Sequence, residues 1–281
     1  MPVIAMTQEM ATLGKDVAFG VCEALGLEQV RHEVGDVVAG RMQVKKSLIR
    51  RLREGKASTI ERWTADEKTI SIFTAEEVLD RAVKGNALIR GWGATLWLRP
   101  VSHIASIQVC APMPLRIARL MARLDTDDEA LATKEIQIDD AARAARMEEH
   151  FGVHWGNPTL YDLTLNTERI PVNDCVDMVV KLAQSSAFQE TEASRQCLLD
   201  LALAARVRAT FRAQPDTQEV DVSVTASAGG VMLEGMVANA GERQRCEEIA
   251  GAVSGVIRVE NRLRSMSGGI GRRIFPSGLT Q

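Results

Sequence analysis

Residues 3–26, VIAMTQEMATLGKDVAFGVCEALG, decide the fold. Val3-Ile4-Ala5-Met6 is a short apolar run, a polar turn follows, and the stretch from Lys15 to Leu25 is amphipathic and closed by Gly26. That order predicts strand, loop, helix. Further apolar runs at 87–90, 104–111 and 161–165 are separated by segments charged and long enough to be helices. Strands alternating with helices predict an α/β domain, a mostly parallel sheet with helices on both faces. The segment between the first two runs carries Arg41, Lys45, Lys46, Arg50, Arg51, Arg53 and Lys56, which predicts a basic helix, chiefly a solvated face. Residues 114–151 read as two helices parted by Asp125-Thr126-Asp127-Asp128, with Arg143 and Arg146 three apart on one face of the second.

The C-terminal part has another rhythm. Leu199, Leu203, Val207 and Phe211 recur every fourth residue, Val220, Val222 and Val224 alternate with polar residues, and Ala228-Gly229-Gly230 turns into a second apolar run at 231–237. A helix over 241–253 and a strand over 256–263 complete the order αββαβ, a small α+β module. The expected limits are a first domain at 1–187, a linker at 188–195, the module at 196–267 and a flexible tail at 268–281.

Composition narrows the classes. Across 281 residues, 46% hydrophobic and 25% charged is the balance of a folded soluble protein, and the net charge of −3 gives no strong nucleic-acid signal. No run is long enough to span a membrane, and MPVIAMTQEM lacks the charged and apolar regions of an export signal, so a cytoplasmic location is expected. Five scattered cysteines, with no C-x-x-C pair, read as buried thiols and suggest no metal site.

The loop before the first helix is where a parallel nucleotide-binding sheet holds phosphates, because free N–H groups and a lysine converge there. The full pattern G-x-x-x-x-G-K-[ST] is met only by Gly14-Lys15. Glu9 stands at the first glycine position and Asp16 at that of the metal-binding hydroxyl. The wider context is more specific. Gly85-Asn86-Ala87-Leu88-Ile89-Arg90-Gly91-Trp92-Gly93-Ala94, Val109-Cys110-Ala111-Pro112 with Arg116 and Arg119, and the closing run from Phe151 through Gly156-Asn157-Pro158 to Arg169 resemble the cytidylate-kinase-like family of P-loop proteins over roughly residues 3–183. Residues 198–264, through 231–237 and Gly255-Val256-Ile257-Arg258-Val259-Glu260-Asn261-Arg262-Leu263, resemble the BON domain.

The first resemblance implies a P-loop nucleotide-kinase-like sheet, with ATP and Mg2+ as cofactors and CMP or dCMP as acceptor. It implies that Ala11, Thr12, Leu13, Gly14, Lys15, Asp16 and Val17 form the nucleotide loop, and that Lys15, Arg143 and Arg146 act in catalysis, the arginines from a closing lid. Arg41 or Arg90, with the turn Gly91-Trp92-Gly93, would hold the acceptor. Two departures bear on this. Ala11 and Leu13 carry Cβ atoms where the family is glycine-rich, which would hinder positive φ, and Trp92 replaces the arginine of the family's Gly-Arg-Gly turn. Arg143 and Arg146 serve equally well as partners of Asp139, Asp140 or Glu149. The second resemblance implies a binding unit for a protein or an anionic phospholipid, to which Arg262, Arg264, Arg272 and Arg273 would contribute. The alternative to a kinase is a catalytically silent nucleotide sensor or scaffold acting through that unit.

Overall fold

The computed structural model describes residues 2–266, so the expected tail at 268–281, with Arg272 and Arg273, lies outside the described residues. The chain divides between Ala202 and Leu203 into two compact units.

In the first unit, β1 (Val3–Gln8), β2 (Glu28–Val30), β3 (Ala87–Arg90), β4 (Ala105–Cys110) and β5 (Leu163–Asn166) form one sheet in the order β2-β3-β1-β4-β5. Every pair in it is parallel. Side chains alternate across a strand, so a sheet buried on both faces needs apolar residues at successive positions. β1 meets that demand. Ile4 and Met6 join the core with Val17 and Val21 of α1 (Gly14–Leu25) and Val179 of α9 (Val172–Ala183), while Val3 and Ala5 are buried as well.

Between β2 and β3 run α2 (Glu33–Arg41), α3 (Lys46–Arg53), α4 (Thr59–Thr64) and α5 (Glu67–Lys84). The basic segment therefore falls on more than one helix. Its expected solvated face is present in part: Lys46 meets Asp36 at 2.7 Å, Lys56 meets Glu135 at 2.6 Å, and Arg51 pairs with Glu61. After the short α6 (Ala94–Trp97) and β4 come α7 (Met113–Leu124) and the 23-residue α8 (Glu129–Phe151). Asp125 ends α7 at φ 51°, and Asp128 caps α8 by accepting the Leu131 N–H at 2.8 Å, as the run of acids predicted.

α10 (Glu192–Ala213) begins inside the stretch expected as a linker. It leads into the second unit, where β6 (Ser223–Ser227) pairs antiparallel with β7 (Gly230–Val237), α11 (Ala240–Ala252) follows, and β8 (Arg258–Ser265) pairs parallel with β7. The order αββαβ is as expected. Val207, Phe211, Val224, Leu233, Cys246, Ala250 and Leu263 form its own core. The strand expected from Val220 starts at Ser223, although Val220 and Val222 still pack on that core. No helix among the described residues is long and apolar enough to cross a membrane.

Candidate functional site

The register of β1 on β3 sets Met6 beside Arg90, so the loops that leave both strands open at the same sheet edge. Loop 9–13, after β1, joins the end of the strand to the N-terminus of α1 and lacks the glycines of the full phosphate-loop pattern. Ala11 and Leu13 both stand at φ 61°, and Leu13, the N-cap of α1, supplies no side-chain cap. The expected hindrance by the two Cβ atoms is therefore corrected: the loop takes the left-handed conformation with L side chains, at about 1–2 kcal/mol each.

Surrounding contacts hold it there. The buried Thr12 donates from Oγ1 to Glu9 O at 2.9 Å, Thr167 Oγ1 donates to Thr12 O at 2.8 Å, and Arg116 Nε donates to Met10 O at 2.8 Å. Arg116 is buried and forks onto Asp140 at 2.9 and 2.7 Å. Arg119 reaches Thr167 Oγ1 and O at 3.0 and 2.8 Å, so both arginines of this strand-helix motif brace the loop. Gly14 fits because a Cβ there would lie 2.7 Å from Gln8 Oε1. Lys15 and Asp16 are exposed in the first turn of α1, and Val17 is buried in the core. An exposed carboxylate at that place is a hard oxygen donor of the kind Mg2+ takes beside phosphate and water, so these residues fit a magnesium nucleotide.

Next to Gln8 is a small cavity lined by Arg31, Arg53, Arg90, Gly91 and Arg143. Four guanidiniums share it with few counter-charges. Arg143 Nε meets Asp139 at 2.6 Å, and Arg90 Nη1 donates to Gln8 Oε1 at 3.0 Å while its buried Nε has no partner among the described residues. Burial and mutual repulsion push Arg53 down to about 9 and Arg90 down to about 10. Positive charge so crowded, with an orphaned buried N–H, suits an anion.

Gly91, Arg53 and Arg143 also line a larger, open cleft. Trp92, Trp97, Phe151 and Trp155 give it aromatic walls, and Arg146, Glu67 and His150 join Arg53 and Arg143 in its charged or titratable lining. Trp92 and Trp155 thus line a site as well as pack. Trp155 Nε1 donates to Thr7 Oγ1 at 3.3 Å, and Tyr161 OH donates to Trp155 O at 2.8 Å. Gly93, at φ 68°, leaves space that Phe151 and Trp97 approach to within 3.1 and 3.2 Å of a Cβ built there.

The structure thus brings Arg90, Gly91, Trp92, Gly93, Arg143 and Arg146 together, with Arg146 Nη1 donating across the cleft to Leu52 O at 3.3 Å. Arg143 does pair with Asp139, but Asp140 belongs to Arg116. Arg41 lies elsewhere. It ends α2 against α5, paired with Glu76 and 4.5 Å over the Phe73 ring, and lines neither cavity. Asp162 accepts the Ser106 N–H at 2.7 Å, a structural role between strands. Sequence reasoning missed Arg31 as a site residue and left Arg53 in the solvated run. The one signal for Arg31 was an arginine directly after Val30.

Residues 3–169 match the model of the cytidylate kinase-like family, and residues 200–265 that of the BON domain. A cytidylate kinase of Staphylothermus marinus is 31% identical over 117 residues, which are 41% of this chain and 64% of that protein, so the match spans less than two thirds of that relative. An uncharacterized protein from Eubacterium ventriosum superposes with a TM-score of 0.52 at 19% identity, over 66% of this chain and 99% of that one. A shikimate kinase from Bacteroides thetaiotaomicron gives 0.40 at 12% identity, over 66% and 99%.

Proposed function

This chain belongs to the cytidylate kinase-like family, matched over residues 3–169, and from that premise we propose that it transfers the γ-phosphoryl group of ATP to CMP, dCMP or a related nucleoside monophosphate. The observation that carries the reading is a juxtaposition. A loop with Ala11 and Leu13 in the left-handed conformation at the end of β1 adjoins a cavity lined by Arg31, Arg53, Arg90 and Arg143 at the end of β3.

In this reading the N–H groups of the first turn of α1, with Lys15, take the β- and γ-phosphates. Asp16 offers an oxygen to Mg2+, which when bound neutralises part of the phosphate charge. A phosphate oxygen of the acceptor attacks the γ-phosphorus, the bond to the bridging oxygen breaks, and ADP and a nucleoside diphosphate leave. Little covalent chemistry falls to the protein. Its arginines position the two anions and stabilise the equatorial oxygens, Arg143 and Arg146 from α8. The second unit, with exposed Arg262 and Arg264 on β8, Arg262 being paired with Glu234 and Glu260, serves as a binding module for a protein or an anionic phospholipid. A cytoplasmic location accords with the use of ATP.

The test is ADP release from MgATP with CMP or dCMP present. Acceptor-dependent turnover that falls at least about a hundredfold in Lys15→Ala is expected, because that change removes a charge-assisted contact to the transferred group. Turnover untouched by Lys15→Ala contradicts the assignment. Asp16 and the Cβ-bearing Ala11 and Leu13 favour one second reading, a nucleotide-binding scaffold, for which MgATP binds and no ADP forms.

A further inference from the structure

The role of Trp92 follows from what it holds, and the argument rests on the phosphoryl-transfer reading above. Arg143 leans on Asp139 and Arg90 on Gln8, whereas Arg53 lies 4.7 Å over the Trp92 ring and makes no hydrogen bond or ion pair among the described residues. Trp92 is itself fixed from several sides. Its Nε1 donates to Arg31 O, its ring fills the space beside Gly35, where a Cβ would come within 2.7 Å of it, and its backbone stands at φ 60°. A bulky residue kept in a left-handed conformation is held at an energetic cost, which calls for a purpose.

Stacking on an indole engages the face of a guanidinium and leaves its N–H edge for hydrogen bonds. Arg53 lines both the small cavity and the aromatic cleft, so it stands where an anion and an attached apolar or aromatic group would meet. We propose that Arg53 binds the phosphate of the acceptor, together with Arg31 and Arg90, and that Trp92 is a positioning residue acting through Arg53 and not a platform for the base. The ligand chemistry is a phosphomonoester dianion.

The experiment titrates CMP, the other three nucleoside 5′-monophosphates and inorganic phosphate into the full chain as wild type, Arg53→Gln, Trp92→Leu and the double variant. Wild type is expected to bind at least one nucleotide, and each single change to weaken it roughly ten- to hundredfold, the worth of a hydrogen bond to a charged group. The double variant should lose no more than the singles, because both remove the same grip. Trp92→Phe, which keeps a ring beneath the guanidinium, should retain most of the affinity.

Thermal unfolding supplies a readout that a structural role would move the other way. Arg53→Gln relieves crowding among like charges, so its midpoint should rise while affinity falls. Affinity indifferent to Arg53→Gln, additive losses in the double variant, a lowered midpoint in Arg53→Gln, or a wild type that binds none of these probes would each overturn the proposal. Lys15→Ala keeps the two readings apart: it should lose MgATP and keep the nucleoside monophosphate. Arg53-dependent binding without any turnover would remove the kinase reading alone.

Discussion

Leu13 is the residue at which motif and geometry part. A pattern search asks for glycine in this loop because only glycine takes positive φ freely. The chain places Ala11 and Leu13 there at φ 61° and steadies the loop from outside, through Thr12, Thr167 and Arg116. At the same scale, His103 shows how one buried ring couples the fold to pH. Its Nδ1 lies 2.7 Å from Ser194 Oγ at the start of α10, with Glu190 at 3.9 Å from Nε2, and burial lowers its pKa below the usual 6.5 against the opposing pull of Glu190. The folded protein therefore holds this ring neutral while the unfolded chain begins to protonate it. Stability from this source is full above 6.5 and is lost as pH falls from there toward the folded value. Unfolding midpoints measured across that range should drop on acidification for wild type and drop less for His103→Asn. Equal slopes would contradict the assignment.

Among the elements, those with many apolar residues in period were legible and those defined by a partner were not. β1 and α1 could be read because Val3 to Met6 are apolar in succession and Lys15 to Leu25 alternate in helical rhythm. β2 could not, since it has three residues and only Val30 is buried, and with it went the place of Arg31. α3 was legible as basic, yet which of its arginines turns inward depends on Trp92, nearly forty positions away in sequence. Arg41 was chosen for its charge, but its partners Glu76 and Phe73 on α5 draw it from the site.

α7 and α8 support the loop through Arg116 and Asp140. Replacing a buried guanidinium that forks onto a carboxylate leaves that carboxylate and Met10 O unsatisfied. Arg116→Met should destabilise the protein by about 2–4 kcal/mol in urea unfolding, somewhat less than a fully dry pair because Asp140 keeps access to water. A loss within about 0.5 kcal/mol would show that the pair does not brace the loop.

At the scale of the molecule each of the two units is built round a core of its own. One is centred on β1, α1 and α9, the other on β7, α10 and α11, and the order αββαβ of the second was readable from Leu199 onward because its periodicity, alternation and turn residues are local signals. What the first unit is for depends on whether a loop with a single glycine-lysine pair still binds a triphosphate. Calorimetric titration of MgATP into the full chain, with Lys15→Ala beside it, asks that directly. The account predicts saturable binding by wild type that is lost in Lys15→Ala. Equal binding by both proteins, or none by wild type at millimolar nucleotide, would contradict it.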